Sequence, residues 1–161
     1  MSTLRILSLL AATVSMGLTA GAFALYAHTV MPGLARTDDR TFVWSFQEMD
    51  RAIMNPWFIG GCFMGALLLT ATAAASAFRT DAFVWVATAL ALYLVAFVLT
   101  LAVNVPLNDA LKAAGDPLRI DVAAARQAFD EARWVASNVI RTVLATGAFG
   151  LLAWALVVTE R

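Results

Sequence analysis

Few residues in this chain could do chemistry. There is one histidine, His28, one cysteine, Cys62, and an arginine, Arg141, inside a long apolar run. Trp134, Asn138 and Arg141 are spaced i, i+4, i+7 and share one face of a helix. An arginine at the centre of a membrane-spanning helix costs about 2.5–3.5 kcal/mol on insertion scales. A cation kept there can stabilise a substrate oxyanion or a lipid headgroup. It can also be a structural arginine that snorkels toward the interface and pairs with Glu48, Asp50 or Asp109. His28 is the natural proton acceptor, because an unperturbed imidazole titrates at about pH 6.5. It fits a structural or interface residue as well. Asn55, Asn104 and Asn138 carry amides that donate and accept. Asn55-Pro56 also reads as a helix N-cap followed by proline at the first position. Asn104-Val105-Pro106 reads as a helix end, where Asn104 and Asn108 satisfy freed carbonyls or orient a ligand. Met31 lies too close to His28 to face it across a haem. One cysteine and one histidine exclude an internal disulfide and a four-ligand zinc site within one chain. Cys62 reads as an inert apolar side chain. Neither a metal nor an organic cofactor is expected.

The elements that must position these residues follow from composition. The 161 residues are 61% apolar and 14% charged, against about 45–50% and 25% in an ordinary globular chain. That excludes a disordered chain, a nucleic-acid binder and most soluble enzymes. Eleven basic and eleven acidic side chains cancel, so net charge names no partner. The charges are clustered. Thirty uncharged residues separate Arg5 from Arg36, 27 separate Arg51 from Arg79, and 27 separate Asp81 from Asp109. Trp134 to Thr159 carries one charge, Arg141. A spanning helix needs about 20 apolar residues, and lipid gives the backbone no other partners. The runs predict four transmembrane helices at about 6–30, 54–78, 82–104 and 135–158 in one domain, 1–161. The first run resembles a signal peptide, with Arg5 before it and Ala20-Gly21-Ala22 within it. It continues unbroken to Ala35 and is read as a retained helix.

Two polar segments remain, 36–51 with seven charges and 109–133 with nine. Phe42, Phe46 and Met49 form an amphipathic stripe in the first, with Asp39 or Thr41 as cap. Asp121 precedes Val122, Ala125, Phe129 and Ala132, one helix face in the second. The fold class is therefore all-α: an integral membrane up-down four-helix bundle with two short amphipathic helices on one side, over the bundle mouth or as a lid. Gly115-Asp116-Pro117 marks a turn, and Arg79-Thr80-Asp81 a tight hairpin. Both termini fall on the same side. Seven cations lie in the longer polar segments and three (Arg5, Arg79, Arg161) on the termini side, which places the polar segments in the cytoplasm of a bacterial cell bounded by a cytoplasmic membrane. Gly17 with Gly21, and Gly61 with Gly65, are small-residue pairs that let helices approach, within the bundle or across a homo-oligomer seam.

In such a bundle His28, Asn55, Asn104, Asn138 and Arg141 share one layer, under the polar segments. At this point the chain resembles the anthrone-oxygenase-like family of small four-helix membrane proteins. The resemblance rests on Val30-Met31-Pro32-Gly33-Leu34 and on Met49-Asp50-Arg51-Ala52-Ile53-Met54-Asn55-Pro56. It extends through Asn104-Val105-Pro106-Leu107-Asn108 and through Trp134, Asn138 and Arg141-Thr142. It implies oxidation of an anthrone to an anthraquinone by molecular oxygen, without metal or organic cofactor. Such a site needs a base, donors for the developing oxyanion and a water-poor pocket. The resemblance makes His28 the base, Arg141 and Asn138 the oxyanion donors, and Asn55, Asn104 and Trp134 the groups that hold substrate. Many relatives read Trp-Asn-His-Val-Arg where this chain has Ser137-Asn138-Val139-Ile140-Arg141, so the aromatic and the histidine are both missing here.

Two functions of different class follow. One is an oxygenase of a lipophilic anthrone-like or quinol substrate. The other is a non-catalytic accessory subunit of a larger membrane complex, binding lipid or quinone. Membrane lipid is the partner common to both. A single polar layer argues against a continuous permeation path.

Overall fold

The computed structural model describes residues 3–159, so Arg161 and its share of the charge count lie outside the described residues. These residues form helices and no strand. Four helices are long and apolar enough to cross a membrane: α1 (Thr3–Leu34), α3 (Trp57–Ala77), α4 (Phe83–Ala113) and α6 (Glu131–Thr159). The chain is a multi-pass membrane protein. Two short helices, α2 (Asp39–Ile53) and α5 (Val122–Phe129), occupy the expected polar segments.

The four long helices close a ring, with α1 packed on α3 and α6, and α4 packed on α3 and α6. The two halves of the bundle differ in side-chain size. At the hairpin end the core is mostly alanine: Ala73, Ala74, Ala77, Ala82, Ala89, Ala148 and Ala155 are all buried. Small residues let backbones approach and gain dispersion contacts, which drive association in lipid. Only one member of each glycine pair is at a crowded contact. A Cβ on Gly17 would meet the Phe149 ring at 2.9 Å, and one on Gly65 would meet the Gly60 carbonyl at 3.0 Å, whereas Gly21 and Gly61 face open space.

At the other end the core is aromatic, and three of the four long helices widen to i→i+5 bonding. The wide turns are Tyr26–Val30 in α1, Trp57–Met64 in α3 and Thr100–Asn104 in α4. Two of them are followed two residues later by proline, Pro32 and Pro106. A proline ring clashes with the carbonyl four residues back, and a widened turn moves that carbonyl away. The expected helix ends before Pro32 and Pro106 are therefore corrected: α1 runs on to Leu34 and α4 to Ala113. Backbone carbonyls at this level take side-chain donors. Ser15 donates to the Gly61 carbonyl at 2.8 Å, Tyr93 to that of Phe63 at 2.8 Å, and Asn138 to that of Phe23 at 3.1 Å. In lipid no water could do this.

The short helices form a second apolar cluster over the mouth, with Met31, Phe42, Val43, Phe46, Leu111, Phe129 and Trp134. The cap of α2 is Asp38, whose carboxylate accepts from Arg40 N–H at 3.0 Å and Thr41 N–H at 3.1 Å, not Asp39 or Thr41 as expected. Its buried face is Phe42, Val43, Phe46, Gln47 and Asp50, so the third member of the stripe is Asp50 and not Met49. Gln47 ties α2 to α4 by donating to the Leu111 carbonyl at 2.8 Å. Asp121 caps α5, accepting from Ala124 N–H at 3.1 Å. The expected stripe is broken at Asp130, which adopts a left-handed φ of 50° and separates Ala132 onto α6. Gly115, at φ 108°, turns the chain at the end of α4, where a residue with a Cβ is strained.

Candidate active site

The sequence places a cation in α6, and the fold surrounds it. Arg141 is buried. Its Nε donates to the Asn138 side-chain oxygen at 3.0 Å and its Nη1 to the Thr100 hydroxyl at 3.3 Å. The guanidinium lies over the Phe23 ring at 4.3 Å and near the Trp134 ring at 5.3 Å. Aromatic faces attract a cation and cost no hydrogen-bond acceptor. The expected pairing with Glu48, Asp50 or Asp109 is corrected: no carboxylate among the described residues bridges Arg141. The acids have other partners and Arg141 lies deeper: Asp50 is held by Asn108 and Lys112, Asp109 by Lys112, and Glu48 by Arg51. Arg141 lies eight residues along α6 from Arg133, about 12 Å at the helical rise. Two bonds leave three of its five N–H donors without a partner among the described residues.

A cavity of about 300 Å³ lies beside it. This is at the lower end of the range for small-molecule pockets, about 300–1,000 Å³. Its walls are Phe23, Phe46, Phe58, Phe63, Phe97 and Trp134, with aliphatic residues between them. Polar atoms enter from Arg141, Thr100, Tyr26, Asn108 and Asp50. All three wide turns contribute lining residues: Tyr26 from α1, Phe58, Ile59, Phe63 and Met64 from α3, and Thr100 and Leu101 from α4. Wide turns shift side chains off the regular helical register and recur at functional sites.

Asp50 enters the wall from α2. It is 6% exposed. Asn108 donates to its Oδ1 at 2.6 Å, and Lys112 pairs with its Oδ2 at 2.6 Å. Lys112 also pairs with Asp109 at 3.0 Å. Trp134 in turn donates its indole N–H to the Asn108 oxygen at 2.7 Å. The arrangement sets a carboxylate and a cation with spare donors into one apolar chamber. Those are the parts needed to take a proton from carbon and hold the oxyanion that results. Among the described residues no group of three or more His, Cys, Asp or Glu could hold a metal ion.

The expected layer is partly assembled. Asn104, Asn138, Arg141 and Trp134 come together. Asn104 donates to the Trp134 carbonyl at 3.2 Å and accepts from the Ser137 hydroxyl at 2.8 Å, so it braces α4 against α6 behind the cavity. Asn138 spends its amide on the Phe23 carbonyl and Arg141. His28 and Asn55 do not join them. His28 is exposed, and its Nδ1 is 2.6 Å from the Thr29 hydroxyl, because the wide turn in α1 brings Tyr26 to the cavity in place of His28. Asn55 is exposed and caps α3, accepting from Phe58 N–H at 2.9 Å. The residue that sequence reasoning missed is Asp50. Its signal was present: Phe42, Phe46 and Asp50 are spaced i, i+4, i+8, which lines an acid up with two buried aromatics.

No curated protein and no solved structure matches the chain. The sequence model of the anthrone oxygenases matches residues 54–151, more than half of the chain, and takes in Asn104, Asn108, Trp134, Asn138 and Arg141. On this match, which covers more than half of its length, the chain belongs to the anthrone oxygenase family.

Proposed function

We propose that the protein oxidises a lipophilic, anthrone-like substrate with molecular oxygen inside the bundle, and that the reaction needs no metal or organic cofactor. The observation that carries this reading is that the Asp50 carboxylate and the Arg141 guanidinium, which do not bridge each other, both line one apolar cavity. Asp50 removes a proton from the methylene carbon opposite the substrate carbonyl. The electron pair delocalises onto the carbonyl oxygen, which Arg141 holds as an oxyanion with donors it does not spend on the protein. The carbanion reduces oxygen and a carbon–oxygen bond forms. The peroxide takes back the proton from Asp50. Loss of the second methylene proton breaks the O–O bond, leaving a new carbonyl and water. One oxygen atom enters the substrate, the other leaves as water, and the substrate's two methylene hydrogens balance it.

Asn108 and Trp134 position Asp50, and the phenylalanine walls keep water from the carbanion. The family resemblance adds weight to the substrate class. The test is oxygen uptake and anthraquinone formation with anthrone, using purified protein in phosphatidylcholine vesicles. The expected result is one oxygen consumed per anthrone, at a rate above that of empty vesicles and unchanged by a chelator. A rate equal to that of empty vesicles overturns the proposal.

A further inference from the structure

The cavity reaches the molecular surface on the lipid side. Two of its lining residues are also more than half exposed: Met54 at 60% and Leu101 at 51%. Leu101 belongs to a stripe with Leu94 and Val98, spaced i, i+4, i+7, whose other members are 48% and 54% exposed. A stripe of large apolar residues left bare in a spanning helix is a surface built for lipid tails. Leu101 lies eight residues before the first charge of α4, Asp109, about 12 Å along the axis. It is therefore below the headgroups and close to the depth of Arg141, whose partner Thr100 is its neighbour.

The packing of the helices explains why an opening lies there. α3 packs on α4 through Gly65–Ala77 against Phe83–Leu99. Beyond that, Phe63 of the wide turn Trp57–Met64 still stacks on Phe97 at 4.7 Å, while the backbone of that turn leans on α1 and the wide turn Thr100–Asn104 leans on α6. The two backbones separate above this ring pair; Leu101 borders the seam from α4, and Met54 borders it from the link between α2 and α3. The water-facing side is closed instead, by Phe46, Asp50 and Trp134 with the aromatic cluster behind them.

We infer that Met54 and Leu101 form a lateral mouth between α3 and α4, through which a bilayer-dissolved polycyclic substrate reaches Arg141 without crossing water. This rests on the cavity being the substrate site, as proposed above. It also defines the substrate class further: a flat, membrane-partitioned molecule with one polar oxygen, which enters with that oxygen leading toward Arg141 and its ring system trailing among the phenylalanines.

The test uses binding and not turnover. The full-length protein in phosphatidylcholine vesicles is mixed under nitrogen with 2-hydroxyanthracene, and association is followed by the emission anisotropy of the probe. Met54→Trp and Leu101→Trp place bulk at exposed positions, and Leu101→Ala removes it. The expected result is that the tryptophan variants lower the association and dissociation rates together by about tenfold, with Kd moving less than either rate, while Leu101→Ala raises both. Unchanged rates in all three variants overturn the mouth. A change in Kd with no change in association rate also overturns it, since that marks a wall and not a passage. Absence of probe binding by the unmodified protein overturns both the cavity and its mouth. Normal probe binding with no oxygen uptake sinks only the oxygenase reading.

Discussion

Trp134 donates its indole N–H to the Asn108 side-chain oxygen at 2.7 Å, and through Asn108 it fixes where the Asp50 carboxylate stands. The three residues come from α6, α4 and α2, so one chain of hydrogen bonds joins two spanning helices to a surface helix. Trp134 is also wedged among Tyr26, Phe46 and Phe129, with ring centroids 5.8, 5.5 and 6.3 Å away. Its two roles can be separated. Trp134→Phe keeps most of the ring packing and removes the donor. It should cost about 1 kcal/mol of stability, the net worth of one hydrogen bond. Turnover should fall more than stability, because Asn108 is then free to rotate away from Asp50. Trp134→Ala should cost about 3–5 kcal/mol as a cavity opens. Thermal unfolding in detergent alongside oxygen uptake checks both.

Arg141→Met should separate activity from fold in the opposite sense. Methionine fills the space without a charge, which relieves the desolvation of a cation at depth. Against that, Asn138 and Thr100 each lose a donor. The two effects offset, and the unfolding midpoint should move by no more than about 5 °C. Oxygen uptake should fall by about 10²–10³, as when one oxyanion donor is removed. Full activity in the folded variant would remove Arg141 from the mechanism.

Asp50→Asn tests the base. The amide can still meet Asn108, and Lys112 keeps Asp109. The bundle should fold, and proton abstraction should slow by about 10²–10⁴. A solvent-exposed change of the same kind, Asp109→Asn, should leave the rate near that of the unmodified protein. Equal losses in the two variants would point to charge around Lys112 and away from a base at Asp50.

His28→Gln is expected to change little. The ring is exposed and, among the described residues, bonds its neighbour Thr29. Surface changes of this kind stay within about 0.5 kcal/mol. Oxygen uptake within twofold of the unmodified protein, measured across pH 6 to 8, is the expected outcome. A large loss would restore His28 to the reaction.

The N-terminus of α2 should be pH-sensitive at the acid end. The Thr41 hydroxyl and the Arg40 and Thr41 N–H groups hold the Asp38 carboxyl below its ordinary range. A depressed carboxylate stabilises the fold above its unfolded pKa, and that contribution is lost as pH falls through the lowered folded value. Amide exchange at the first turn of α2 should quicken below the ordinary aspartate range. In Asp38→Ala it should already be fast at neutral pH.

Much of this could be read from the sequence, for physical reasons. Three uncharged runs and a fourth interrupted by Arg141 alone read as helices in lipid, so the bundle followed from charge spacing. Arg141, Asn138 and Trp134 were legible because a polar side chain at helical spacing in an apolar run has no cheap explanation. The wide turns were not legible. Pro32 and Pro106 carry the same local signal whether a helix stops or widens, and only packing against α6 decides which. Asp50 was hidden for another reason: it sits in a segment with six other charges, where an acid reads as solvated. His28 was overvalued because the residue type drew attention, while the turn beneath it decided which side chain faces inward.

The gradient from alanine to phenylalanine along the bundle makes the molecule a taper. Its narrow half acts as a clamp, in which small side chains close around Leu9, Val86 and Leu152, and its broad half as a jaw whose width depends on how that clamp is set. A single added bulk far from the site, such as Ala89→Leu, would pry at the fulcrum and register at the chamber, whose first α4 residue, Phe97, is eight residues on, about 12 Å at the helical rise.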